Sequence, residues 1–315
     1  MSRSLSRGDL FSALTVVIIW GLNFVVMKWA LAAVSPMMLG ALRFAVASLP
    51  LLWVVPRPRT SWYFIVSYGV LQGVGQFGLL FTALHFGMPS GLASTVLQAQ
   101  VLFTVLLAVP VLGERARFHH GMGLLIASAG LALIAANHGN GPREMTLLGF
   151  ALTLAAALSW AGSNLLVRWM GRGAASIDPF HFIVWSSAMS VLPFLAMAIA
   201  FDGAAASWHS VTGMGVREWA AVAYLSLLAT LVGYSLWMRL LQRHPAGRIA
   251  PFSLLVPVVG LWAGSFFLSE RLNAAQWSGV ALVLAGLLVN QFGGALRPAS
   301  PAGRRGQAAA TFLDK

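Results

Sequence analysis

The stretch "IIWGLNFVVMKWAL" at residues 18–31 returns, altered but in order, as "LSWAGSNLLVRWMG" at 158–171. Trp20 is answered by Trp160, Lys28 by Arg168 and Trp29 by Trp169. Both copies are apolar, end near a cation, and carry a tryptophan and an asparagine (Asn23, Asn164) near the middle. The duplication extends well beyond them. Pro36 matches Pro179, Pro50 matches Pro193, Tyr68 matches Tyr224, Pro89 matches Pro245, Gly91 matches Gly247, Glu114-Arg115 matches Glu270-Arg271, and Gly130 matches Gly286. Leucine matches arise readily in apolar sequence, whereas prolines, tryptophans and charge pairs matched in one order do not.

Of 315 residues, 58% are hydrophobic and 9% charged, with a mean hydropathy of +0.80. A water-soluble domain could not cover that much apolar surface, so the bilayer is the expected solvent. Apolar runs of about 20 residues, enough to cross a hydrocarbon core of about 30 Å, fall at 10–30, 36–55, 62–84, 89–112, 118–136, 146–167, 179–200, 218–241, 248–268 and 274–293. The expected fold class is an all-α polytopic membrane protein of ten transmembrane helices, a first repeat over 9–136 and a second over 146–293, joined by an outer linker at 137–145. An odd number of spans per repeat sends the second copy into the membrane from the opposite face. The repeats are therefore expected to be inverted, the arrangement by which many secondary transporters achieve alternating access.

Charge agrees with this topology. With a cytoplasmic N-terminus, the inner side receives Arg3, Arg7, Arg57, Arg59, Arg115, Arg117, Arg168, Arg172, Arg239, Arg243, Arg248, Arg297, Arg304, Arg305 and Lys315, and the outer side only Lys28, Arg143, Arg217 and Arg271. That asymmetry follows the positive-inside rule and puts both termini in the cytoplasm, residues 1–8 as a short lead and 294–315 as a small, polar, basic, disordered tail. The formal charge of +12 does not indicate nucleic acid, because the cations are scattered among short loops and not clustered on a solvated surface. Arg3 and Arg7 ahead of an apolar run, with "ALA" at 30–32, resemble a signal peptide, but the run is long for one and its counterpart lies mid-chain. The absence of cysteine excludes disulfides and thiolate metal sites. There is no HExxH, no phosphate loop and no paired carboxylate at depth, so neither a catalytic residue, a metal nor a cofactor is expected.

The segments "WGLNFVVMKWAL" (20–31), "LRF" (42–44), "GMPSGLASTVLQAQ" (87–100), "GER" (113–115) and "FSLLVPVVG" (252–260), in this order and spacing, resemble the EamA branch of the drug/metabolite transporter superfamily over about residues 8–293. The resemblance implies a ten-helix fold of two inverted five-helix repeats. It also implies a central cavity lined by parts of the first, third, fourth, sixth, eighth and ninth spans, and efflux of small metabolites. Within that branch the chain is most like exporters of O-acetylserine and cysteine of the bacterial inner membrane. Amino acids or their small derivatives are thus the implied cargo, with broader metabolite or drug efflux as the alternative and a membrane-embedded enzyme as the rival class. The expected partners are a small-molecule substrate and the lipid bilayer.

Candidates for the cavity follow from depth and polarity. Trp20 and Trp160 each precede their cation by eight residues, about 12 Å from the nearer face. Packed core and binding wall are both open readings for them. Asn23 and Asn164 share their helix faces at i+3 and i+4; an amide facing lipid would lack partners, so both should face inward. Gln72 and Gln76 form one stripe, while Gln98 and Gln100 point about 200° apart on a continuous helix, so Gln98, with Ser94 and Thr95 on its side, is the one expected in the cavity. Tyr224, Tyr234 and Ser253 offer hydroxyls from the second half. Arg43 lies about 10 Å below the outer surface, where a centred cation costs roughly 2.5–3.5 kcal/mol. A structural ion pair, snorkelling, and docking of a substrate carboxylate are the open accounts of it, and Ser186 at the matching position shows that the halves differ here. No carboxylate lies mid-membrane, so coupling is open among none at all, His85 or His181, and Glu114 or Glu270; the two Glu-Arg pairs read more simply as helix caps and loop anchors. Pro110, Pro251 and Pro257 interrupt corresponding helices and are candidate hinges.

Overall fold

The computed structural model describes residues 5–114, 117–139, 144–171, 177–244 and 246–293, and every element among them is helical. The tail expected at 294–315, the first four residues of the lead, and the middle of the linker expected at 137–145 lie outside the described residues. In chain order the helices are α1 (Arg7–Ala30), α2 (Pro36–Leu51), α3 (Trp62–His85), α4 (Ser90–Leu112), α5 (Phe118–Ala136), α6 (Leu147–Met170), α7 (Pro179–Asp202), α8 (Ala204–Thr212), α9 (Val216–Arg243), α10 (Ala246–Ser253, then Leu255–Leu268) and α11 (Ala274–Phe292).

The ends are set locally. Ser6 and Asp9 form a reciprocal capping box on α1. Ser35 and Asp178 cap helices whose first residue is proline, where a missing N–H costs nothing. Gly113, at φ 69°, closes α4 in the left-handed region that glycine adopts without strain.

Among the described residues nine helices are long and apolar enough to cross a membrane; α2 is shorter. At 1.5 Å per residue α2 is about 24 Å long, because its last turn, Leu49–Leu51, tightens to 3-10 geometry around Pro50 and the chain turns away, where the apolar run suggested a helix to residue 55. The interval after α7 holds the short α8, which the hydropathy pattern left unassigned; Gly203, at φ 85°, separates the two.

Large apolar side chains point outward, among them Phe11, Trp53, Leu192, Phe201 and Phe266, while Asn23, Arg43, Gln72, Gln76, Gln98 and Gln100 are buried. This is the reverse of a soluble domain and suits a hydrocarbon solvent. The chain is a multi-pass membrane protein.

The same interruptions occur twice. α3 and α9 each contain a π-helical stretch, Gly69–Gly78 and Tyr224–Gly233. α4 and α10 are each broken in their first half, at Leu97–Gln98 and at Leu254. The wider π geometry leaves carbonyls available to neighbouring helices: Ser190 donates to the Gly69 carbonyl at 2.9 Å, Ser159 to that of Leu71 at 2.8 Å, and the Trp20 indole to that of Ala229 at 3.1 Å.

Glycines set the closest helix contacts. A Cβ on Gly123 would fall 2.6 Å from the Gly286 carbonyl oxygen, and one on Gly130 would fall 2.6 Å from that of Gly279, so α5 and α11 are antiparallel with backbones touching. α4 and α10 are antiparallel too, with Gly91 against Leu261 and Ser94 against Gly260.

Gly286→Ala, whose new Cβ would lie 2.5 Å from the Ala127 amide nitrogen, is expected to destabilise the protein by about 1–3 kcal/mol. Gly121→Ala, with nothing within 4 Å, should leave stability unchanged or slightly raised. Thermal unfolding in detergent micelles checks both.

Candidate functional site

A cavity of about 900 Å³ penetrates the middle of the bundle, walled by parts of α1, α2, α3, α4, α5, α6, α9, α10 and α11. Its lining passes from buried residues such as Arg43 and Gln76 to exposed ones such as Arg117, Arg168 and Leu241, so it opens at the end where α4 and α6 finish.

The aromatic wall is held in place by hydrogen bonds. Trp20, tied through its indole to α9, packs its ring 5.0 Å from Tyr234 and 5.5 Å from Trp237. It is both core and cavity wall, and Trp160 lines the cavity from α6. Asn164 donates to Gln100 at 2.7 Å, and Gln98 donates to the Ser253 carbonyl at 2.7 Å. Gln98 and Gln100 both line the cavity, contrary to the expectation that only one could. A separation of about 200° holds only on a continuous helix, and α4 breaks at Leu97–Gln98. Gln76 lines the cavity, but Gln72 stands behind the wall. There Gln72 donates to Gln76 and to the Tyr234 hydroxyl at 2.9 Å, and accepts from Ser163. Tyr224 is also outside the cavity: its hydroxyl donates to the Ile19 carbonyl at 2.8 Å and clamps α9 to α1.

Arg43 lies at the inner end of the cavity and is 1% exposed. It neither snorkels nor forms an ion pair among the described residues. Its Nε donates to the Thr230 hydroxyl at 3.0 Å, and its guanidinium lies 4.0 Å above the Phe77 ring. A desolvated cation–π contact is worth about 2 kcal/mol, which offsets part of the cost of a cation at this depth.

Two ion pairs stand at opposite ends of the bundle. Lys28, at the end of α1, meets Glu270 beyond α10 at 3.2 Å. Glu270 also accepts from the Ser90 amide at 2.7 Å, the Ser90 hydroxyl at 3.0 Å and the Gly91 amide at 2.9 Å, so one carboxylate joins α1, α10 and the start of α4. Arg168, at the end of α6, meets Glu114 just after α4. Because α4 and α10 are antiparallel, these latches cannot share an end. The first is well covered, with side chains 27% and 8% exposed; the second is 44% exposed on both sides and borders the cavity mouth. The sequence reading of Glu114-Arg115 and Glu270-Arg271 as local pairs missed these partners. The signal was present in the joint duplication of Lys28 with Arg168 and of Glu114 with Glu270.

The EamA-like transporter family matches this chain twice, over residues 7–136 and 147–291. The chain belongs to that family. This EamA-like transporter is 39% identical over 289 residues to a probable amino-acid metabolite efflux pump of Escherichia coli, covering 92% of this chain and 96% of the relative. It is equally similar to the pump of the same description from Salmonella typhimurium, with the same coverage. A protein of known crystal structure, 21% identical, superposes with a TM-score of 0.61 over 90% of this chain and 96% of the other, a likeness of fold.

The candidate hinges of this transporter differ in placement. Pro251 and Pro257 flank the break at Leu254, whereas Pro110 sits in the continuous second half of α4, well past the break at Leu97–Gln98.

Glu270→Ala strands Lys28 and two backbone amides, and is expected to lower stability by on the order of 3 kcal/mol. Glu114→Ala, at the exposed pair, should cost about 0–1 kcal/mol. Equal shifts in the thermal midpoints of the two variants would contradict the contrast in burial.

Proposed function

We propose that this EamA-like transporter exports amino acids or their small derivatives across a bacterial inner membrane by alternating access. In this reading α2 is a tenth, short span that the bilayer accommodates by local thinning, and α8 crosses nothing. The spans form two inverted five-helix repeats with both termini in the cytoplasm.

The observation that carries the proposal is the pair of latches. Lys28–Glu270 and Arg168–Glu114 are counterparts under the duplication, stand at opposite ends, and differ in state: one is covered, the other borders an open mouth. A carrier that exchanges the conformations of two similar halves keeps one end closed while the other is open, and the two latches fit that scheme. The glycine contacts support the same symmetry. Gly123 and Gly279 are counterparts, as are Gly130 and Gly286, so the pairing of Gly123 with Gly286 and Gly130 with Gly279 maps onto itself when the halves are exchanged. Arg117, Arg168, Arg239, Arg243 and Arg248 lie at the helix ends on the side of the mouth, against Lys28, Arg217 and Arg271 at the other end, a distribution that supports a cytoplasmic mouth under the positive-inside rule. A metabolite made in the cell can then enter. The relatives described as amino-acid metabolite efflux pumps support the cargo class. Broader efflux is the second reading, favoured by a volume of about 900 Å³ and by the aromatic wall of Trp20, Trp160 and Trp237, which exceed what one small amino acid fills.

The absence of cysteine makes the test direct. Lys28→Cys with Glu270→Cys, bridged by a short bifunctional maleimide, should reduce transport in proteoliposomes at least tenfold, while either single variant treated alike should keep the activity it had untreated. Unimpaired transport in the bridged protein would exclude alternating access. Saturable counterflow of L-cysteine or O-acetyl-L-serine supports amino-acid export; movement of bulky drugs alone would favour the second reading.

A further inference from the structure

Three polar side chains of the cavity wall, Arg43, Asn23 and Asn290, are each buried with one atom lacking a hydrogen-bond partner, and the first two offer opposite chemistry. Arg43 is 1% exposed and its Nη1 has no hydrogen-bond partner. Asn23 is 6% exposed and its Oδ1 has none either, while its Nδ2 reaches only the Met27 sulfur at 3.9 Å. Both line the cavity. Gln98 is committed to the Ser253 carbonyl and Asn164 to Gln100; the unpartnered atom of Asn290 is its Nδ2, a donor, which cannot accept from an ammonium.

Burying an unsatisfied polar group is costly, and burying an unpaired cation more so, unless something that visits the site supplies the partner. The guanidinium is already oriented for one. Phe77 covers a face and Thr230 fixes Nε, which leaves Nη1 as the unpartnered corner of a side chain that lines the cavity; a planar fork of this kind matches a carboxylate. Thr230 is itself anchored, donating to the Leu225 carbonyl at 2.8 Å inside the π-helical stretch of α9, so the arginine is held from behind. Asn23 offers the complementary group, a carbonyl oxygen that accepts from an ammonium. Ser186 stands where the duplication would place a second arginine and donates to its own helix at the Phe182 carbonyl, so the cation belongs to the first half alone.

We infer that Arg43 and Asn23 form a zwitterion site, the guanidinium taking the carboxylate of the cargo and the asparagine oxygen its ammonium. The class bound is then free α-amino acids with both groups unblocked. That the bound molecule is cargo rests on the export reading above; that it binds here does not.

Calorimetric titration of the purified protein tests the site apart from transport. The probes are L-cysteine, cysteamine, which lacks the carboxylate, L-cysteinamide, which neutralises it, and N-acetyl-L-cysteine, which blocks the amine. Wild-type protein is expected to bind L-cysteine at least tenfold more tightly than each of the other three. Arg43→Gln should lose at least tenfold for L-cysteine while holding cysteamine within about twofold; Arg43→Lys should recover part of that loss. Asn23→Leu should narrow the gap between L-cysteine and its N-acetyl form. Equal binding of L-cysteine and L-cysteinamide by wild type overturns the carboxylate site, and needs no variant to fold. Discriminating binding without transport leaves the site standing and removes the export reading; transport with no discrimination does the reverse.

Discussion

Hydrocarbon offers no hydrogen bonds, and the rest of this structure follows from that. Backbone polarity is spent within the helices, so what remains to be satisfied is the set of polar side chains and the carbonyls exposed at irregular turns. They are brought together across helices: the Trp20 indole on a carbonyl of α9, Ser190 and Ser159 on carbonyls of α3, Gln98 on a carbonyl at the break of α10. The irregular stretches of α3, α9 and α10 are each matched by a donor from another helix. The interruptions are therefore tolerated only in the interior, and the interior is where the cavity lies.

Packing supplies the second layer. In lipid, apolar contact alone gives helices little reason to associate, so close backbone approach carries more of the load. The reciprocal glycine contacts of α5 and α11 join the last helix of one matched region to the last helix of the other, at a place where the cavity touches only their ends. The structure thus separates a tightly fitted seam from a hollow lined by longer, hydrogen-bonded side chains.

Much of this was legible in the sequence. Hydropathy gave the long helices, and matched prolines, tryptophans and charge pairs gave the duplication, because such residues are rare enough in apolar sequence to fix a register. Depth and polarity drew attention to Arg43, Asn23 and Gln76. The losses have physical causes. Gln72 and Gln76 share a face, yet only one reaches the cavity, because Tyr234 and Ser163 draw the other into the wall. Gln98 and Gln100 come to share the cavity through a turn at Leu97–Gln98 that no proline or glycine at those positions marks. The stretch Tyr224–Gly233 has one glycine, at its end, and so gives no compositional hint of π geometry. The cross-chain partners of Glu114 and Glu270 were hidden because each has an arginine as its immediate neighbour in sequence.

The Glu270 latch has a mechanical implication. Its carboxylate is shared among an ammonium, a hydroxyl and two backbone amides from two helices and has little exposure to water. Losing one of these donors makes the rest harder to keep in register, so they are expected to separate as a group. A seal that parts all at once has no half-open form through which water or protons can seep, which a cell that maintains a voltage across its membrane would need from any protein with so large a hollow in its centre.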